Sequence, residues 1–239
     1  MKLKNLLYLA RFSGYMVTTL PNYFKAKRLS KKGDIAGSTA VAYRQSKDWS
    51  RYIFKLIQSE VVVKGLEHVP KDQSVLFVSN HQAIFDIPII MHAVPAPSGF
   101  IAKKELEKMP IIGNWMSYIH CIFMDRSNPR QSLKAINEGA QVLRDGYNMI
   151  IFPEGTRSKT GELKDFKAGS FKLALKAKAP VVPVVIKNSY RLLQDGKLNK
   201  HQQVEVIFTP PIETAELTKE ESAELPDRVH ARIRQELDK

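Results

Sequence analysis

Residues 61–208 alternate short β-branched or apolar runs with longer mixed stretches, and this alternation leaves few folds open to the chain. The runs at 61–64, 74–79, 100–102, 119–124, 149–152, 181–186 and 204–208 each read as a strand. Helices are expected between them at 87–93, 128–145 and 166–177, with one more at 226–237 in a mostly polar tail. Strands separated by helices favour an α/β class: a largely parallel β-sheet covered by helices. A chain of 239 residues, 44% of them hydrophobic, can build such a core without staples. The single Cys121 excludes an intramolecular disulfide and a Cys-rich zinc site. Its apolar setting would raise the thiol pKa, which reads as an inert core cysteine.

The first sixty residues have a different character. The stretch 6–21 is mostly apolar, but Arg11 interrupts it and Pro21 ends it, short of the roughly 20 residues that a spanning helix needs. Leu3, Leu6, Leu7, Ala10, Gly14 and Val17 repeat at helical spacing, flanked by aromatics and followed by Lys25, Lys27, Arg28, Lys31 and Lys32. That composition describes a helix lying in a membrane interface. A turn at Lys32-Gly33-Asp34 separates it from a second helical stretch at 38–59. Residues 1–60 therefore read as a two-helix membrane-docking motif preceding a catalytic domain at 61–239. Packing of both helices on the core is the alternative.

Lys and Arg number 37 against 24 Asp and Glu, a net charge of +13, which calls for an anionic partner: nucleic acid, an anionic membrane surface or a phosphorylated substrate. Aromatics cluster in the first sixty residues rather than among the basic loops, and no nucleic-acid motif is present, so a nucleic-acid partner is not expected. Nucleophile-elbow, phosphate-loop, dinucleotide and zincin motifs are also missing. Two segments carry chemistry instead. His81 follows the strand at 74–79, where α/β sheets place ligands, and Asp86 lies five residues on, at the start of a helix. A loop between them lets the carboxylate hold His81 Nδ1–H and leaves Nε2 as a proton acceptor. An ordinary polar loop beside a helix-capping Asp is the plainer reading. At the end of the strand 149–152, Pro153-Glu154-Gly155-Thr156-Arg157-Ser158 combines a carboxylate, a close-approach glycine and a guanidinium fork suited to phosphate.

Together these segments resemble the glycerolipid acyltransferases of the 1-acylglycerol-3-phosphate acyltransferase family. Asn80-His81 to Asp86 matches that family's Asn-His-four-residue-Asp block, and Phe152 to Ser158 matches its F-P-E-G-T-R-S block without departure. Two weaker blocks follow the same order: Lys103-Lys104-Glu105-Leu106 with Pro110, Gly113 and Phe123-Met124-Asp125-Arg126, and Val181-Val182-Pro183-Val184-Val185. The resemblance spans about residues 60–210. It implies transfer of a fatty acyl group from a thioester, acyl-CoA or acyl carrier protein, to the free hydroxyl of a lysophosphatidic acid, with glycerol 3-phosphate or another lysophospholipid as the alternative acceptor. His81 would be the general base, Asp86 its orienting partner and Glu154 a further member of the site. Arg157, Lys103, Lys104 and Arg126 would meet the acceptor phosphate, and Gly155 and Thr156 would form a substrate or oxyanion loop. Lys103 and Lys104 read alone as a solvated pair, and Arg126 as a strand-end residue. No metal or other cofactor is expected. The apolar segment 109–116 suits an acyl slot or the core, and the lysines from Lys159 to Lys178 read as a solvated or membrane-facing surface. The expected location is peripheral or monotopic on the cytoplasmic face of a membrane.

Overall fold

The computed structural model describes residues 3–125 and 128–239. Three helices open the chain: α1 (Leu3–Thr18), α2 (Leu20–Lys31) and α3 (Ile35–Ile57). Then come β1 (Glu60–Lys64), β2 (Leu76–Ser79), α4 (Asp86–Ala93), β3 (Ser98–Lys103), α5 (Ile112–Tyr118), β4 (Ile122–Met124) and α6 (Pro129–Arg144). The chain continues with β5 (Asn148–Ile151), α7 (Lys172–Ala177), β6 (Val181–Lys187), a small hairpin of β7 (Leu193–Gln194) and β8 (Lys197–Leu198), β9 (Gln203–Phe208) and α8 (Lys219–Leu237).

Seven strands form one sheet in the order β1-β9-β6-β2-β5-β3-β4. Every pairing is parallel except β6 with β9, so β1 and β9 run opposite to the other five. The side-chain period of two divides each central strand between two cores. Phe77, Ile150, Val182, Val184 and Ile186 pack with α3 and α4 on one face. Leu76, Val78, Met149, Val181 and Val185 pack with α6, α7 and α8 on the other. From β2 the chain crosses by α4 toward β3, whereas from β5 it crosses by α7 to β6 on the far side of β2. Adjacent parallel strands whose connections leave in opposite directions open a crevice at their carboxyl ends. Here those ends lead into His81 and Glu154.

Two expectations about the N-terminal region change. The structure forms three helices rather than two, because Pro21 sits in the first turn of α2 instead of ending a helix. Proline lacks an N–H that the first turn does not use, and its fixed φ suits that position. The basic residues from Lys25 to Lys31 are consequently helical. The second change concerns α3. Ile53, Phe54 and Ile57 lie in the same core as Phe77 and Phe208, so the division at residue 60 falls between elements that share one hydrophobic interior.

Candidate active site

The β2–β5 register carries the site. Val78 pairs with Ile151, an offset of 73 residues, and the same offset places His81 opposite Glu154 three residues beyond that pair. There the His81 backbone N–H donates to Glu154 Oε1 at 2.6 Å. The loop after β5 returns two more bonds, from Ser158 N–H to the His81 carbonyl at 2.8 Å and from Lys159 N–H to the Gln82 carbonyl at 3.1 Å. Asn80, fully buried, prolongs the sheet on the other side: its amide donates to the Ile186 carbonyl at 2.9 Å and accepts from the Ile186 N–H at 2.8 Å. Both main-chain flanks of His81 are thereby tied down.

Its side chain is held as firmly. His81 Nδ1 stands 2.7 Å from Asp86 Oδ2, and the same oxygen accepts the N–H groups of Gln82 at 2.6 Å and Ala83 at 2.9 Å. Asp86 is wholly buried at the first position of α4, where the helix dipole favours a carboxylate. A carboxylate with two amide donors can only accept from the ring, so Nδ1 carries the proton and Nε2 is left as an acceptor. The imidazole stacks on Phe152, with ring centroids 4.2 Å apart and an interplanar angle of 20°, and 17% of the His81 side chain stays exposed.

Glu154 is buried, and burial raises its carboxyl to about 7 despite the opposing backbone donors of His81 and Lys164. Gly155 has φ +72, a conformation that costs an L side chain and suits glycine. Its N–H donates to the Phe152 carbonyl at 3.1 Å, closing the turn, so this amide is not offered to an oxyanion in the geometry described. Thr156 and Arg157 are exposed on the rim, and Lys164 Nζ donates to the Arg157 carbonyl at 3.1 Å. Lys103 ends β3 and Lys104 opens the helical turn behind it, both exposed, one strand beyond β5. Arg126 lies outside the described residues. Segment 109–116 runs into α5 under α2: Asn114 donates to the Tyr23 hydroxyl at 3.0 Å, and Trp115 meets Tyr23 edge to face. Among the described residues no cluster of three His, Cys, Asp or Glu is placed to hold a metal. Burial pushes the Cys121 thiol up to about 12, well away from a reactive thiolate.

The sequence places Asn80 and Phe152 in the motif blocks without assigning either a role, and passes over Gln82. Gln82 bridges the Ser189 hydroxyl and the Gly161 carbonyl. For Phe152 and Asn80, membership of the motif blocks was the available signal. Their roles come from strand register, a long-range property.

The arrangement offers a fixed proton acceptor at a strand-end crevice; among the described residues the His81 ring is hydrogen-bonded to the Asp86 carboxylate and not to a serine hydroxyl or a cysteine thiol. Known proteins resemble this chain in sequence and fold. A family model described as acyltransferase matches residues 60–187. A 1-acyl-sn-glycerol-3-phosphate acyltransferase of Cocos nucifera is 31% identical over 183 residues, 76% of this chain and 59% of that protein. A probable enzyme of the same name from Mycoplasma pneumoniae is 32% identical over 203 residues, 77% of this chain and 76% of its own length. The chain thus spans about three fifths of the first plant relatives it matches. The crystal structure of the 1-acyl-sn-glycerophosphate acyltransferase PlsC from Thermotoga maritima superposes with a TM-score of 0.77 at 28% identity, covering 99% of this chain and 97% of that one. A family model covering more than half the chain, and relatives above 30% identity that cover about three quarters of it, leave one assignment: this chain belongs to the acyltransferase family.

Proposed function

We propose that the protein transfers a fatty acyl group from a thioester to the sn-2 hydroxyl of 1-acylglycerol 3-phosphate, giving phosphatidic acid. The observation that carries this reading is the His81–Asp86 pair at 2.7 Å, which leaves Nε2 as a base without a protein nucleophile to activate. The substrate alcohol then takes that role. His81 Nε2 accepts the hydroxyl proton as the oxygen attacks the thioester carbonyl. Collapse of the tetrahedral intermediate breaks the C–S bond, and the imidazolium returns the proton to the departing thiolate. A thiolate leaves readily, because its conjugate acid has a pKa near 8.5, far below that of an alcohol. Asp86 holds the ring and stabilises the imidazolium, and Glu154 fixes the His81 backbone. Arg157 presents a fork for the acceptor phosphate, with Lys103 or Lys104 as a further cation. The donor is acyl-CoA or acyl carrier protein, and the acyl chain runs along segment 109–116.

A lipid acceptor requires contact with a membrane. No helix among the described residues is long and apolar enough to cross one; docking is assigned to the cytoplasmic face as part of this proposal. Val17, Phe24 and Ile84 are exposed apolar residues on α1, on α2 and in the loop between His81 and Asp86. A panel of acceptors offered with one acyl thioester, followed by thiol release, tests the function. Fastest turnover on 1-acylglycerol 3-phosphate supports it; a preference for glycerol 3-phosphate or for a lysophospholipid without a phosphomonoester overturns the acceptor assignment.

A further inference from the structure

We propose that Lys167 is an additional cation for the substrate phosphate, on the turn that carries Arg157, and selects a phosphomonoester over a phosphodiester. This rests on the proposed function and extends it. Lys167 lies within a run of lysines that sequence alone leaves on the surface, but the fold separates its members. Lys176 Nζ donates to Asn137, and Lys164 Nζ donates to the Arg157 carbonyl. Lys167 is instead brought to the turn that carries Glu154. Its N–H donates to the Pro153 carbonyl at 3.0 Å, and its own carbonyl accepts from Ser170 at 2.9 Å, fixing the backbone on both sides. The side chain then lies against Gly155: a β-carbon built there would stand 2.9 Å from Lys167 Nζ and 3.2 Å from its Cε. The ammonium therefore lies against the open face of Gly155, where a β-carbon would crowd it. Among the described residues it has no carboxylate partner, and the side chain is exposed.

Charge gives this placement its meaning. The turn already holds the Glu154 carboxyl, with the Asp86 carboxylate behind His81. A phosphomonoester brings a charge approaching −2 above its second pKa of about 6. The guanidinium of Arg157 balances a phosphodiester but not a dianion, and Lys103 and Lys104 stand one strand beyond β5. Lys167 adds a positive charge on the turn itself, as a compact donor suited to phosphate.

The test compares wild type, Lys167→Met and Lys167→Arg on 1-acylglycerol 3-phosphate and on the diester 1-acylglycerophosphoglycerol, each with acyl-CoA and with a phosphate-free acyl N-acetylcysteamine thioester. Lys167→Met should raise KM for the monoester by about tenfold or more, leave the diester within about twofold, and recover with Lys167→Arg. The penalty should shrink below about pH 6, where the monoester becomes a monoanion. A KM change seen with acyl-CoA but not with the phosphate-free donor would move Lys167 to the donor and overturn the proposal. Equal losses on both acceptors, or none, would also overturn it. Calorimetric binding of a short-chain phosphatidic acid reads the same charge without turnover, and should weaken about tenfold in Lys167→Met. An inactive wild type that still shows this difference would refute the proposed function and leave the cation in place.

Discussion

One oxygen of Asp86 accepts three N–H groups, so the residue does two jobs that a single substitution will not separate cleanly. It sets the His81 ring, and it folds the 81–83 backbone over the start of α4. His81→Ala removes the base and leaves those backbone bonds, so its thermal midpoint should barely move while kcat falls by about 10²–10⁴. Retention of more than about a tenth of wild-type kcat would rule out general-base catalysis. Asp86→Asn should lose most of the activity and also destabilise the fold. Glu154 makes a different prediction. Burial raises its folded pKa to about 7, above the ordinary carboxyl value near 4.3. Between those values the unfolded chain ionises while the folded one keeps its proton, so this residue's contribution to stability falls as pH rises from about 4.3 to 7 and is level above that. Glu154→Gln keeps an oxygen for the His81 N–H and removes that dependence. In urea titrations the variant should gain on wild type through this window and hold its advantage at pH 8; parallel profiles would show that Glu154 is not buried as a neutral acid. The pairing of His81 with Asp86 was legible, because the four intervening residues suffice to build it. The Glu154–His81 bond was not, since 73 residues and a strand register intervene.

At the scale of elements, the β2–β5–β6 core positions everything described, and Asn80 is where its edge meets the site. Its amide imitates a strand residue, satisfying the N–H and carbonyl of Ile186 just past the end of β2. Asn80→Ala would orphan both buried groups, at a cost of about 2–4 kcal/mol, and would free the backbone that aims His81. Denaturant unfolding should show that loss together with a fall in kcat at unchanged acceptor KM. A stable variant with normal turnover would mean that β2 and β6 hold the loop without it. Most strands were legible from their β-branched runs, because central parallel strands are buried on both faces. Errors arose where local chemistry competes with hydrophobicity. Residues 119–121 read as strand, but α5 ends at Tyr118 and His120 takes φ +63, so β4 begins only at Ile122. Asp195-Gly196 is a hairpin signal of known strength, both residues having positive φ, and it closes β7 on β8. The last helix starts at Lys219, not at 226, because Thr218 and Glu221 form a capping box that outweighs the interior Pro226.

For the whole molecule, the proposed function raises the question of how a protein of net charge +13 would meet a bilayer. α1 does not project freely: Tyr15 stacks on Tyr52 of α3 at 4.2 Å, and the Tyr52 hydroxyl donates to the Arg11 carbonyl at 2.9 Å. α2 is fastened by Tyr23 and Ala26, both buried, while Phe24 is 60% exposed and Val17 on α1 is 64% exposed. Lys25, Lys27, Arg28, Lys31 and Lys32 are exposed on or beside the same helix. Two weak forces then act together. Each basic residue near an anionic surface contributes about 1 kcal/mol, screened by salt, and each apolar side chain that sinks into the interface contributes about 1.5–3 kcal/mol if fully buried. Removing residues 1–58 would be a poor test, because α3 shares the core of the sheet and its loss would unfold the protein. Exposed positions avoid that difficulty. The double variant Val17→Asp, Phe24→Asp should keep its thermal midpoint and its turnover of detergent-dispersed acceptor. It should bind phosphatidylglycerol vesicles at least about tenfold more weakly than wild type in sedimentation, with activity on vesicle-embedded acceptor falling in parallel. Raising salt should weaken the remaining binding, since the basic residues then act alone. If the double variant and wild type sediment alike at every salt concentration, α1 and α2 do not face the membrane.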